Sequence, residues 1–244
     1  MIGTAKSGAD AGSGWLELRL STRELKGVVS FLNQLKSQAN ALQTEQSTDK
    51  ARLEANTQQT EWAAKTAWQY LSELAKNLDI LKPKGPALSL DGKTPWPSMR
   101  LTDFRVDARR KKLRDQEVFD YIAMGWNVVP LQGTPHDASV SANFPPGLQR
   151  IESRLAAGTV RHERIEVRHP EKNTLQAFRF DYRTEARGTI TITANHDEAT
   201  LAFRLANVRA FEVLSVAYPA DQVRYDLMDE LAKLIVGESS TFLP

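Results

Sequence analysis

The stretch TRELKGVVSFLNQLKSQANALQTEQSTDKARLEANTQQTEWAAKTAWQYLSELAKNLDILK, Thr22 to Lys82, runs for 61 residues with no proline and one glycine, Gly27. Its composition favours helix from end to end. Ser21-Thr22-Arg23-Glu24 fits a capping box, in which the Ser21 hydroxyl accepts from the Glu24 N–H and the Glu24 carboxylate reaches back to the Ser21 N–H. Leu20 and Leu25 stand where a hydrophobic staple needs them, so the helix begins at Thr22. Just upstream, Trp15 to Leu20 alternates apolar and polar residues and reads as a short strand with Leu16, Leu18 and Leu20 on one face. Residues 1–14 are small and polar, lack the apolar core of a signal peptide, and read as a disordered leader.

Two apolar stripes run along the helical stretch. Leu25, Val28, Val29, Leu32, Leu35, Ala39 and Leu42 form the first; Ala63, Ala64, Ala67, Tyr70, Leu71, Leu74, Leu78 and Leu81 form the second. Between them, 43–59 is rich in Gln, Thr, Glu and Ala, with Leu53 as its one large apolar residue. Counting in sevens from Leu25 reaches Leu32, Ala39, Gln46, Leu53, Thr60, Ala67, Leu74 and Leu81, so the stripes share a phase. One coiled-coil helix about 90 Å long, at about 1.5 Å per residue, satisfies that count. Against it, Lys36, Gln43, Lys50 and Thr57 place polar groups on the second seam, which a coiled coil accepts sparingly. Ser47-Thr48-Asp49 also resembles a cap opening a new helix. An antiparallel hairpin turning near Ser47 is the favoured shape.

In that hairpin Leu74, Leu78 and Leu81 overhang the first helix, and Trp62 and Trp68 cannot share one seam. These five residues are the expected partner interface, used for homo-oligomer formation or for docking on another protein.

The composition of the whole chain sets the outer limits. With 244 residues, 41% of them hydrophobic, it can bury a core of one or two domains. A net charge of +2 argues against wholesale binding to nucleic acid or an acidic membrane, though a local patch could act. There is no cysteine, hence no disulfide, thiolate nucleophile or cysteine metal site. No apolar run approaches a membrane span, and the expected location is cytoplasmic.

Lys82 to Ser98, with four prolines and two glycines, reads as a linker at 83–98, with Trp96 as a plug against the body. The body, 99–244, opens with a strand at Met99 to Val106, a charged turn at Asp107 to Gln116, and a strand from Val118 to Val129. Gln132 to Gly147 reads as a long loop, and Leu148 to Ala157 as a short helix closed by Gly158. From Arg161 onward, alternating segments separated by Pro170–Asn173 and Asn195–Glu198 imply an antiparallel meander. Val223, Leu227, Leu231, Leu234 and Ile235 form the apolar stripe of a final helix, Pro219 to Val236, ended by Gly237. The expected fold is α+β: a long N-terminal helical arm, then an antiparallel sheet body with the C-terminal helix packed on it.

Four sets of residues invite a chemical reading. Arg109, Arg110, Lys111, Lys112 and Arg114, with Arg105 beside them, would project from the charged turn toward phosphates or an acidic partner. Asp103, Asp107, Asp115, Glu117 and Asp120 flank the run and can neutralise it. His162, Glu163, Glu166 and His169 have the residue types of a metal site, but strand alternation sends His162 and Glu166 one way and Glu163 and His169 the other. His136, Asp137, Ser139 and Ser141 are hydrolase residue types without a Gly-x-Ser-x-Gly elbow. No phosphate-binding glycine motif occurs, so neither a cofactor, a metal nor a catalytic residue is assigned. The expected function is a non-enzymatic interaction or adaptor subunit acting through its arm. The alternatives are a nucleic-acid accessory protein using 109–114, and then a hydrolase at 132–147.

Overall fold

The computed structural model describes the backbone of residues 22–244 and the side chains of 31–244. The leader, the strand expected at Trp15 to Leu20 and the capping-box side chains lie outside the described residues.

α1 (Thr22–Leu81) is one helix of 60 residues, so the turn expected near Ser47 does not occur. The reason lies in the hydroxyls. Ser47 and Thr48 donate to the Thr44 carbonyl at 2.8 and 2.9 Å, and Thr44 donates to the Asn40 carbonyl at 2.8 Å. Hydroxyls satisfied by the preceding turn suit a helix interior and leave none to cap a new N-terminus.

The compact units divide at Ala51/Arg52, inside α1, and not at the proline-rich segment. Residues 83–98 belong to the unit that begins at Arg52. Leu88, Leu90 and Trp96 are buried in its core, Lys84 bridges Arg100, and the Gly85 N–H donates to the Met99 carbonyl at 2.8 Å. Trp96 is the plug the sequence suggests, stacked on Tyr182 at 5.5 Å and edge-on to Phe211.

β1 (Met99–Leu113) and β2 (Gln116–Pro130) form a long hairpin. The charged stretch 107–116 is thus mostly strand; only Arg114 and Asp115 turn, both at positive φ. A two-residue turn of that kind matches the twist of the strands, but lacks the Asn-Gly or Asp-Gly signature that would have announced it. β3 (Asp137–Ala142) lies in the segment expected to be a loop, and α2 (Pro145–Ala157) is the short helix expected at Leu148 to Ala157, begun three residues earlier. β4 (His162–Arg168), β5 (Leu175–Arg183), β6 (Ala186–Asn195), β7 (Thr200–Ala206) and β8 (Val213–Pro219) follow. Pro219 ends β8 and a 3₁₀ turn at Ala220–Gln222 leads into α3 (Tyr225–Val236), so the final helix starts later than the expected Pro219 and leaves Val223 outside it.

The strands make two antiparallel sheets, β1-β2-β6-β7-β8 and β3-β5-β4, where one meander was expected. The meander exists only as β6-β7-β8; β3, β4 and β5 are inserted between β2 and its neighbour β6. Ile122, Met124, Trp126 and Val128 of β2, Ile190 and Ile192 of β6, and Leu201, Phe203 and Leu205 of β7 are buried on one face. They share a core with Ala63, Ala67 and Leu71 of α1 and Met228, Leu231 and Leu234 of α3. The opposite face of β2, with Tyr121, Ala123, Gly125 and Asn127, is only half-buried. A sheet covered on one side by helices is the ordinary solution for antiparallel strands.

Gly237 ends α3 at φ 78, in the left-handed region where glycine carries no Cβ penalty. Gly158 ends α2 differently, at φ −74, and is there for space: a Cβ would lie 2.4 Å from the Phe211 ring.

Candidate functional site

The described part of α1 up to Ala51 presents exposed side chains on every side. Phe31 is 62% exposed, Leu32 50%, Leu35 46% and Leu42 59%. Leu32, Leu35, Ala39 and Leu42 follow three-, four- and three-residue steps, which puts them on one stripe of the helix. That stripe has no covering group among the described residues of its unit.

From Arg52 onward the same helix is an integral part of the sheet unit. Ala63, Ala64, Ala67, Leu71, Ala75 and Leu78 are buried, and small residues at this spacing let the helix backbone approach its neighbours closely. Leu78 is therefore core, and Leu74 is half-buried against it. Both leave the expected partner interface, because the overhang inferred from a hairpin vanishes when the helix has no turn. Trp62 and Leu81 remain open, at 58% and 72% exposure, together with Ile80. Trp68 is partly covered by Phe119, whose ring lies 6.4 Å away.

Polar groups hold this half of α1 to the sheet. Glu61 accepts the Phe119 N–H at 2.5 Å and a guanidinium N–H of Arg110 at 3.1 Å. Asp79 accepts the Phe104 N–H at 2.9 Å, at the bulge in β1. Tyr70 donates to Asp229 of α3 at 2.6 Å; burial and that carboxylate hold its phenol well above the ordinary range. His196, buried in the β6–β7 turn, meets the Phe119 carbonyl through Nε2 at 2.8 Å. Sequence reasoning passed over Glu61, Asp79 and His196, since no local pattern marks a side chain whose partner is 25 to 77 residues away.

The basic segment is built into the sheet instead of standing on a finger. Arg109 and Lys111 both face Asp120, at 3.8 and 3.0 Å. Arg110 turns to Glu61 and lies over the Phe119 ring, 4.6 Å from its centroid. Lys112 pairs with Asp115 at 3.0 Å, and Arg114 with Asp197 at 2.7 Å. Arg114 also donates to the Thr57 hydroxyl at 3.0 Å, which ties the hairpin turn to α1. Only Arg105 of the six stands apart, farther down β1.

The remaining candidates do not assemble. Ser139 and Ser141 are exposed on β3, and the His136 Nδ1 meets Thr184 at 3.2 Å, not a serine. His162 and Glu166 alternate with Glu163 along β4, and no cluster of metal-ligating residues occurs among the described residues. No described helix is long and apolar enough to cross a membrane. Comparison with known proteins gives no matching family model, curated protein or solved structure.

Proposed function

We propose that this protein is a non-enzymatic interaction subunit that self-associates, or docks on a protein partner, through the N-terminal part of α1. The observation that carries the reading is the run Leu32, Leu35, Ala39 and Leu42, in which all three leucines are about half exposed or more. Leucines at a coiled-coil spacing are stabilised by burial against a second helix, at roughly 25 cal/mol per Å² of apolar surface removed from water. Phe31 lies next to this stripe and enlarges it. The polar positions Lys36, Gln43 and Lys50 limit the seam to a few turns, which suits a reversible contact more than a permanent one.

The rival reading, nucleic-acid binding through 109–114, has less support. Each of its five cations already has a carboxylate within 4 Å. The test is sedimentation velocity on the full chain with Leu32→Asp and Leu35→Asp combined. Wild type is expected to sediment as more than one chain at micromolar concentration, and the double variant as one chain with an unaltered thermal transition. A wild type that stays monomeric, with no partner whose binding the double variant abolishes, overturns the proposal.

A further inference from the structure

Gly125 sits inside β2, an interior strand of its sheet, where a glycine weakens a strand and often marks a close approach to its backbone. Neither conformation nor crowding demands it. Its φ is not in the left-handed region, and a Cβ would meet only the Gly188 carbonyl oxygen and Thr189 Cγ2, both at 3.8 Å. Gly188 on the adjoining strand is the opposite case, since a Cβ there would collide with the Trp126 indole at 2.2 Å. The missing side chain at 125 instead leaves a hollow on the half-buried face of the sheet.

The register shows what surrounds it. Arg105, Gly125 and Thr189 form one cross-strand row, and Asn127 and Arg187 belong to the next. The bulge between Thr102 and Arg105 sets Asp103 at φ 56, where its carboxylate accepts from Asn127 Nδ2 at 2.9 Å. These six residues line a cavity of about 230 Å³. Among the described residues, neither the Arg105 nor the Arg187 guanidinium has an ion-pair or hydrogen-bond partner, unlike every cation of 109–114.

Two uncompensated guanidiniums beside an open backbone floor attract an anion, and their planar donor forks match a carboxylate. The Asp103 carboxylate opposes a second negative charge and offers an acceptor to a ligand donor. We propose that the hollow over Gly125 binds a small carboxylate bearing a hydroxyl or amino donor beside its carboxyl group. Arg105 and Arg187 take the carboxylate, and Asp103 takes the donor.

Two-dimensional NMR titration of the ¹⁵N-labelled full chain tests this with glycolate, acetate and inorganic phosphate as probes. Glycolate is expected to give saturable shifts at the Gly125 and Thr189 amides and at the Arg105 and Arg187 Nε–H groups. Acetate, the same acid without the donor, and phosphate should bind more weakly. Arg105→Gln with Arg187→Gln should weaken glycolate about ten-fold or more, the loss expected for charge-assisted hydrogen bonds. Asp103→Asn should erase the preference for glycolate over acetate. Gly125→Val should fill the hollow and abolish the shifts; if that variant does not fold, Gly125→Ala should weaken them. Shifts that do not saturate, that survive the double arginine change, or that phosphate reproduces at equal concentration would each overturn the assignment.

Discussion

Leu71→Ala is the sharpest probe of how this chain is built, because the residue belongs to the long helix and yet is fully buried among the sheet residues. Truncation removes the transfer free energy of the lost methyl and methylene groups and leaves a cavity that a rigid helix–sheet contact closes only in part. The expected cost is about 2–5 kcal/mol. For a unit of this size each kcal/mol moves Tm by roughly 2–4 °C, so a mid-range loss of about 3 kcal/mol lowers Tm by about 6–12 °C. Urea unfolding of the full chain, followed by the fluorescence of the buried Trp96 and Trp126, reads the change directly. Leu42→Ala is the internal control: same helix, same substitution, but an exposed site, with an expected change within about 0.5 kcal/mol. If both variants fall within that small range, residues 52–81 are not part of the core and the reasoning fails. The same logic says that a fragment beginning at Leu88 will not fold cooperatively, since it lacks Ala63, Ala67, Leu71 and Leu78. One beginning near Arg52 will.

Glu61→Ala should cost about 1–3 kcal/mol, because it leaves the Phe119 N–H without its partner and Arg110 without its carboxylate; a loss below 0.5 kcal/mol in chemical denaturation would show that water replaces both. Gly188→Ala should destabilise by about 1–3 kcal/mol through displacement of the Trp126 indole from its stack on Phe104, and an unshifted Tm would contradict the packing. Asp91 supplies a pH signature. Desolvation alone would raise its pKa, but the N–H groups of Thr94 and Lys93 and the hydroxyls of Thr94 and Ser89 outweigh that and bring it down to about 2. A carboxyl depressed in the folded state contributes stability that is full above its unfolded value and fades as pH falls through about 4 to 2. Asp91→Asn should therefore be less stable than wild type at pH 7, and the gap should narrow on acidification within that window. A gap of constant size would refute the linkage.

How much was legible in the sequence follows from how local each determinant is. The α+β class, the strands at 99–106 and 118–129, the strand alternation that begins at Arg161, and the final helix with its Gly237 terminus all rest on periodicity and on breakers within a few residues. Each of these appears in the structure. The hairpin at Ser47 failed because a hydroxyl cluster reads equally well as a cap or as groups bonded back to the previous turn. The charged turn failed because an Arg-Asp pair can adopt positive φ when Asp197 and Thr57 hold the arginine from elsewhere in the chain. Tertiary structure alone decided which half of the helix is core and which leucines remain open, since Leu42 and Leu71 look alike along the sequence and differ only in what faces them. It likewise sent Arg110 and Arg114 to distant carboxylates and left Arg105 and Arg187 beside a glycine floor, because register across strands, not spacing along one, sets which charges meet.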